Sequence, residues 1–206
     1  MKKQNNNTED LKQFIENYQR ELSRALQLLD IVQINKILEI LLDAYHSRRK
    51  VFIMGNGGSA SNASHFACDI GKGTLKRIYD RNEKRFKVYS LTDNVAQITA
   101  FANDLNYDDI FVQQLQNLVE KGDVVIALSG SGNSRNIIKA LQYARHQQVK
   151  TIGILGFTNG GKAAKLVDFP IIIKSNKYGI CEDIQLILNH IIISWMSLVK
   201  DNKTEK

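Results

Sequence analysis

The sequence predicts an α/β fold: a parallel sheet with helices on both faces, preceded by two further helices. Short apolar runs at 50–54, 86–91, 123–128, 150–155 and 169–173 alternate with helical patterns at about 59–72, 94–120, 134–147 and 161–167. Alternation of this kind builds parallel sheets. The runs through Val124-Val125-Ile126-Ala127-Leu128 and Ile171-Ile172-Ile173 are continuously apolar, as strands buried on both faces are. A single proline in 206 residues suits a helix-rich chain with few extended loops.

Residues 1–7 are polar and are expected to fray. From Thr8, a candidate N-cap, Leu11, Phe14, Ile15, Tyr18, Leu22, Leu26 and Leu29 recur at three- and four-residue steps, a helical stripe. A second helix is predicted over 32–46. Both precede the first strand, so neither makes a crossover, and their apolar stripes need either the chain's own sheet or a neighbouring subunit. The last helix, about 182–198, is strongly apolar. The length suits one domain with a substantial core: a single domain over 1–206, with 1–48 a helical extension used for packing or oligomerisation and 49–200 the core.

Composition narrows the function classes. A hydrophobic content of 43% and a charged content of 24% are ordinary for a soluble globular chain. The formal charge of +7 sits partly at the ends, with Lys2 and Lys3 at the start and Lys200, Lys203 and Lys206 in the tail. Basic charge steers anions. With no zinc-finger spacing, RNA-binding aromatic motif or long basic run, nucleic acid is disfavoured as a partner. Two cysteines, Cys68 and Cys181, make no disulfide framework and suit a reducing cytoplasm. No signal peptide or membrane span is expected.

Two strand ends carry turns suited to an anion. The first is Met54-Gly55-Asn56-Gly57-Gly58-Ser59. Its glycines let backbone approach a ligand, and the helix that follows offers free N–H groups and a positive dipole end. The second is Leu128-Ser129-Gly130-Ser131-Gly132-Asn133-Ser134, where Ser129, Ser131 and Ser134 add hydroxyl donors. Ligands of open α/β sheets bind at the carboxyl ends of strands, where both turns fall. Neither turn is a Walker A loop or a dinucleotide fingerprint, which disfavours ATP and NAD.

A second constellation is acid–base in character. His65 and Asp69 stand four apart on one predicted helix and share a face. Glu182 and His190 stand eight apart on the last helix, roughly on one side. Two imidazoles and two carboxylates make a reasonable ligand set for a zinc-like ion. Each histidine also has a plain structural reading, as a hydrogen-bonded core or interface residue. Cys68 and Cys181 neighbour these residues, and their helical positions point them elsewhere. Asp93 is a candidate helix cap. His46 and His146 lie in polar contexts with no functional reading.

GNGGSA at 55–60 with HFA at 65–67, SGSGNS at 129–134 with IIKAL at 137–141, Gly160-Gly161-Lys162 and a terminal apolar helix carrying a histidine together resemble the phosphoheptose isomerases of the SIS (sugar isomerase) family. The resemblance covers nearly the whole chain. It implies a five-stranded parallel sheet in a three-layer αβα sandwich, and a homotetramer with active sites at subunit boundaries. It implies substrate contacts from Asn56, Gly57, Gly58, Ser59, Asn103, Asp104, Ser129, Gly130, Ser131, Ser134 and Glu182. It further implies one Zn2+ held by a His-x3-Glu pair and a Gln-x7-His pair, which fall on His65, Asp69, Glu182 and His190. Two departures stand out: Asp69 replaces the family's Glu and is one methylene (about 1.5 Å) shorter, and Glu182 replaces Gln. The family's Arg after this helix is Gly73 here, beside Lys72.

The reaction so implied is aldose–ketose isomerisation of sedoheptulose 7-phosphate to a heptose 7-phosphate, for lipopolysaccharide, capsule or another glycan. Asp69 or Glu182 would be the base and His190 its acid/base partner. The rival readings are an isomerase of a different sugar phosphate, a sugar-phosphate-sensing regulator, and a non-catalytic SIS protein that associates with a replication initiator. The regulator normally carries a DNA-binding domain, and no extension of that size is evident. The replication-associated kind lacks the terminal-helix histidine, which this chain keeps.

Overall fold

The computed structural model describes residues 3–200, and side chains from residue 8. Met1, Lys2 and the tail 201–206 lie outside the described residues. In chain order the elements are α1 (Lys3–Gln27), α2 (Ile31–His46), β1 (Lys50–Met54), α3 (Gly58–Cys68), β2 (Lys87–Ser90), α4 (Val95–Asp104), α5 (Val112–Leu118), β3 (Val124–Ser129), α6 (Arg135–His146), β4 (Lys150–Leu155), β5 (Phe169–Ile172) and α7 (Tyr178–Val199). Among the described residues the five strands form one parallel sheet in the order β2-β1-β3-β4-β5. The expected α/β sandwich is therefore observed. Chain order reverses at the β1/β3 boundary, a topological switch point. The two glycine/serine turns leave from those two adjacent strands.

Strand side chains alternate between two apolar layers. Val51, Ile53, Val124, Ile126 and Leu128 pack towards α1, α2, α3 and α7. Phe52, Met54, Val125 and Ala127 pack towards α5 and α6. Pro170 lies in β5, an edge strand, where a missing ladder donor is tolerated.

Four sequence expectations need correction. α1 starts at Lys3, so residues 3–7 are helical and Thr8 is not its cap. The pattern over 94–120 is not one helix. Leu105 leaves helical geometry (φ −120°, ψ −92°), and the extended Asn106 accepts a hydrogen bond from the Asp108 N–H at 2.9 Å, starting a 3-10 turn. The short 161–167 pattern makes only a 3-10 turn, Ala163–Lys165, after two positive-φ glycines. The last helix starts at Tyr178, ahead of the expected 182.

The leading helices cover the chain's own core in part. Tyr18, Leu22, Leu26 and Leu29 pack against the sheet side. Leu11, Phe14 and Ile15 remain exposed. Tyr18 Oη donates to Asp183 Oδ2 at 2.5 Å, and Glu21 accepts from Ser175 Oγ at 2.8 Å and pairs with Lys177. These contacts fasten α1 to the start of α7. No described helix is long and apolar enough to cross a membrane.

Candidate active site

The first part of the site is an anion-sized pocket of about 270 Å3 at the switch point. From the β1–α3 turn it takes Asn56, Gly57 and Ser59, and from the β3–α6 turn Ser129, Gly130, Ser131 and Ser134. Gly57 adopts φ +56°, a conformation glycine takes without steric cost. The Ser129 hydroxyl accepts from the Gly132 N–H at 3.0 Å and the Ser131 hydroxyl from the Asn133 N–H at 3.2 Å, which leaves both hydroxyl protons free to donate to a ligand. Asn56 is locked by reciprocal amide bonds with Asn136, both 2.9 Å, and by Tyr107 Oη at 3.1 Å. Ser59 donates to Gln185 Oε1 at 3.0 Å, tying α3 to α7.

Two α7 residues close the pocket. The Tyr178 ring lies over Gly130, where a Cβ would come within 2.7 Å of it, and rests edge-on against Phe157 with centroids 4.8 Å apart. Sequence reasoning missed Tyr178, which lies just before the predicted start of the helix. Glu182 is the other, and its carboxylate lies against Gly58 at the first turn of α3.

The second part lies two turns further along the same helix pair. His65 Nε2 is 3.1 Å from Asp69 Oδ2 and 3.1 Å from His190 Nε2, and His190 Nε2 is 3.8 Å from Asp69 Oδ2. These ligand atoms all fall within 4.8 Å of one another. α3 ends at Cys68, and the backbone continues as a π turn over Asp69–Gly73, not as the α-helix expected to 72. Single π turns inside helices gather at functional sites. The buried amide of Asn189 donates to Asp69 Oδ2 at 2.9 Å. Two imidazoles and a carboxylate fit a zinc-like ion with an open position for substrate.

The structure does not bring every expected residue here. Glu182 stands apart from the three-residue group. Eight residues along an α-helix are about 12 Å of rise and about 80° past two full turns, so His190 reaches His65 while Glu182 stays at the pocket. Asn103 and Asp104 do not line the pocket. They end α4 exposed, with Asn103 Nδ2 donating to Asp104 Oδ1 at 2.8 Å. Asp93 does not cap α4, a task Asn94 performs by accepting from the Gln97 N–H. Asp93 instead accepts from the hydroxyls of Ser64, Ser90 and Thr92. Cys68 is exposed, while Cys181 is buried with Sγ donating to Ser175 O. Burial pushes the Cys181 thiol up, as for an inert core cysteine.

The family model described as SIS domain matches residues 13–156. The phosphoheptose isomerase of Helicobacter pylori is 35% identical over 156 residues, 75% of this chain and 78% of that protein. That of Geobacter sulfurreducens is 38% identical over 157 residues, 76% and 79% of the two chains. The solved structure of phosphoheptose isomerase GmhA from Neisseria gonorrhoeae superposes with a TM-score of 0.81 at 25% identity, covering 93% of this chain and 99% of that one. A phosphoheptose isomerase structure from Francisella tularensis gives 0.83 over 93% and 98% at 20% identity, a likeness of fold. The chain belongs to the SIS-domain family and, within it, to the phosphoheptose isomerases.

Proposed function

We propose that this chain is a cytoplasmic aldose–ketose isomerase that converts sedoheptulose 7-phosphate to a heptose 7-phosphate, a precursor for lipopolysaccharide, capsule or a related glycan. The observation that carries this is the shared helix pair. α3 and α7 bear the serine-lined pocket at one end and His65, Asp69 and His190 two turns away. An extended sugar phosphate can lie along them, its phosphate among Ser129, Ser131 and Ser134 and its carbonyl end at the histidines. The relatives named for this activity support the same substrate class.

Holding the phosphate fixes the reacting carbons and removes their orientational entropy. Asp69 takes the proton from C1 of the ketose, the electrons form the C1–C2 double bond, and His190 gives a proton to O2. His190 then takes the proton from O1 as the carbonyl forms there, and Asp69 returns its proton to C2. No proton is gained or lost overall. His65, Asp69 and His190 would hold one Zn2+, which when bound supplies Lewis-acid polarisation of the substrate oxygens. Glu182 lines the pocket end, where its carboxylate can accept from a sugar hydroxyl and does not bind the phosphate itself.

Two further readings accompany this. The chain works as one SIS domain, and self-association into a homotetramer is supported by an apolar groove of about 650 Å3 between α2 and α7. His190 lines this groove as well as the histidine group, so a second copy seated there would close the site. The two free thiols support a reducing compartment.

The test is a panel of pentose, hexose and heptose phosphates followed by NMR, with chelator and after zinc is restored. Turnover of the heptose phosphate, lost on chelation and recovered with zinc, is expected. No turnover of any member with zinc restored would replace this reading with that of a binding protein.

A further inference from the structure

We propose that Asn189 is a positioning residue that fixes the Asp69 carboxylate so that the His65–Asp69–His190 group is preformed for its metal, an inference that rests on the metal reading above. Asp69 keeps helical backbone (φ −66°, ψ −43°), its N–H bonding the His65 carbonyl, at the point where the π turn opens. The backbone fixes its Cα–Cβ direction and leaves more than one rotamer for the carboxylate, so a side-chain contact must select one. Asn189 precedes His190 on α7 and is 1% exposed. Its Nδ2 donates to Asp69 Oδ2 at 2.9 Å, the same oxygen that faces both imidazoles. The amide therefore grips the carboxylate from the buried side while the histidines approach from the exposed side.

Asn189 Oδ1 is the one buried side-chain polar atom without a partner among the described residues. Leaving a buried acceptor unsatisfied is unfavourable, and an apolar side chain of the same shape would avoid it. Flipping the amide offers no relief, since it would turn Oδ1 onto a carboxylate oxygen. Among the described residues the one side-chain hydrogen bond this amide makes is the one to Asp69. Hydrogen-bonded carboxylate ligands are held in this way around metal sites, and loss of such a partner typically weakens metal affinity about 10- to 100-fold.

The test uses Asn189→Leu, close in volume and free of polar atoms. Zinc affinity is measured by competition with a chromophoric chelator, and the visible spectrum of the cobalt-loaded protein reports ligand geometry. The expected result is zinc affinity weakened about 10- to 100-fold and shifted cobalt bands, with the thermal midpoint of the metal-free protein unchanged or raised. In an Asp69→Ala background the same change should alter affinity no further. Should leucine crowd the site, Asn189→Ala carries the same expectations for zinc affinity and cobalt spectrum. Wild-type affinity and spectrum in the variants, or an equal loss in the Asp69→Ala background, would overturn this inference alone. Failure of the unaltered protein to bind zinc or cobalt would overturn the metal reading and this one with it.

Discussion

Glu182 rests its carboxylate against Gly58, so close that a Cβ at position 58 would lie 2.4 Å from the carboxyl carbon. Among the residues lining the serine pocket, Glu182 carries the one charge. It faces the positive end of the α3 dipole, the place an incoming phosphate also seeks. Like charges a few ångströms apart cost on the order of 1 kcal/mol or more even in a wet site. Glu182→Gln is therefore expected to strengthen inorganic phosphate binding on the order of tenfold, read by phosphorus NMR titration. Unchanged or weaker binding would show that the carboxylate does not oppose the anion.

Asp69 and His190 are assigned the two proton transfers, and each such group contributes about 10²–10⁴ in rate. His190→Ala and Asp69→Ala should each lower kcat by at least that range, with native circular dichroism. The His190 side chain is exposed and that of Asp69 is half-buried at the rim of the helix pair, so their removal opens no cavity in the apolar core. Full activity in both variants would remove the proposed chemistry from this group.

Much of this arrangement could be read from the chain itself, for physical reasons that also mark where reading stops. The strands declared themselves because residues such as Val124–Leu128 are buried on both faces of the sheet and so cannot hide among polar neighbours. His65 and Asp69 were visible as a pair because a four-residue step returns to the same helix face. His190 stood out as an ionisable group in an apolar helix. Angular position alone puts Glu182 beside His190, and the rise along α7 separates them. Asn189 and Tyr178 were illegible: the first gains its role from a residue 120 positions away, the second from glycine backbone across the pocket. The π turn at Asp69 leaves no compositional mark. The break at Leu105 is set by Asn106 taking up a local cap, a competition between side chain and helix that periodicity does not register.

The groove between α2 and α7 gives a prediction about assembly. Ile31, Ile191, Trp195 and Leu198 line it and are between 46% and 78% exposed, a cluster of large apolar side chains of the kind found at interaction surfaces. Trp195→Glu would place a charge in the centre of that area. The expected result is dissociation to smaller species in sedimentation velocity, with loss of activity and with secondary structure retained. A protein already monomeric before the change would reject self-association through this face.

Lys200 and Glu83 give a prediction about acid stability. Lys200 closes α7 with its side chain 2% exposed, donating to the Thr74 carbonyl and to Glu83 Oε1 at 3.0 Å. Burial alone would raise the Glu83 carboxyl. The backbone N–H groups of Lys76 and Arg77 and the Lys200 ammonium outweigh it and hold the group at about 2, against an ordinary 4.5. The folded chain therefore binds fewer protons here than the unfolded chain between those values. The stabilisation is complete above pH 4.5 and is lost as pH falls through 2. Chemical unfolding across this range should show a steep acid-side loss in the native chain and a shallower one in Glu83→Gln. Lys200→Ala leaves the carboxylate buried without its cation, which costs about 3–5 kcal/mol, and should lower the neutral-pH midpoint accordingly. Equal acid slopes in the native chain and Glu83→Gln would mean that this pair does not hold the 74–86 segment to the end of α7.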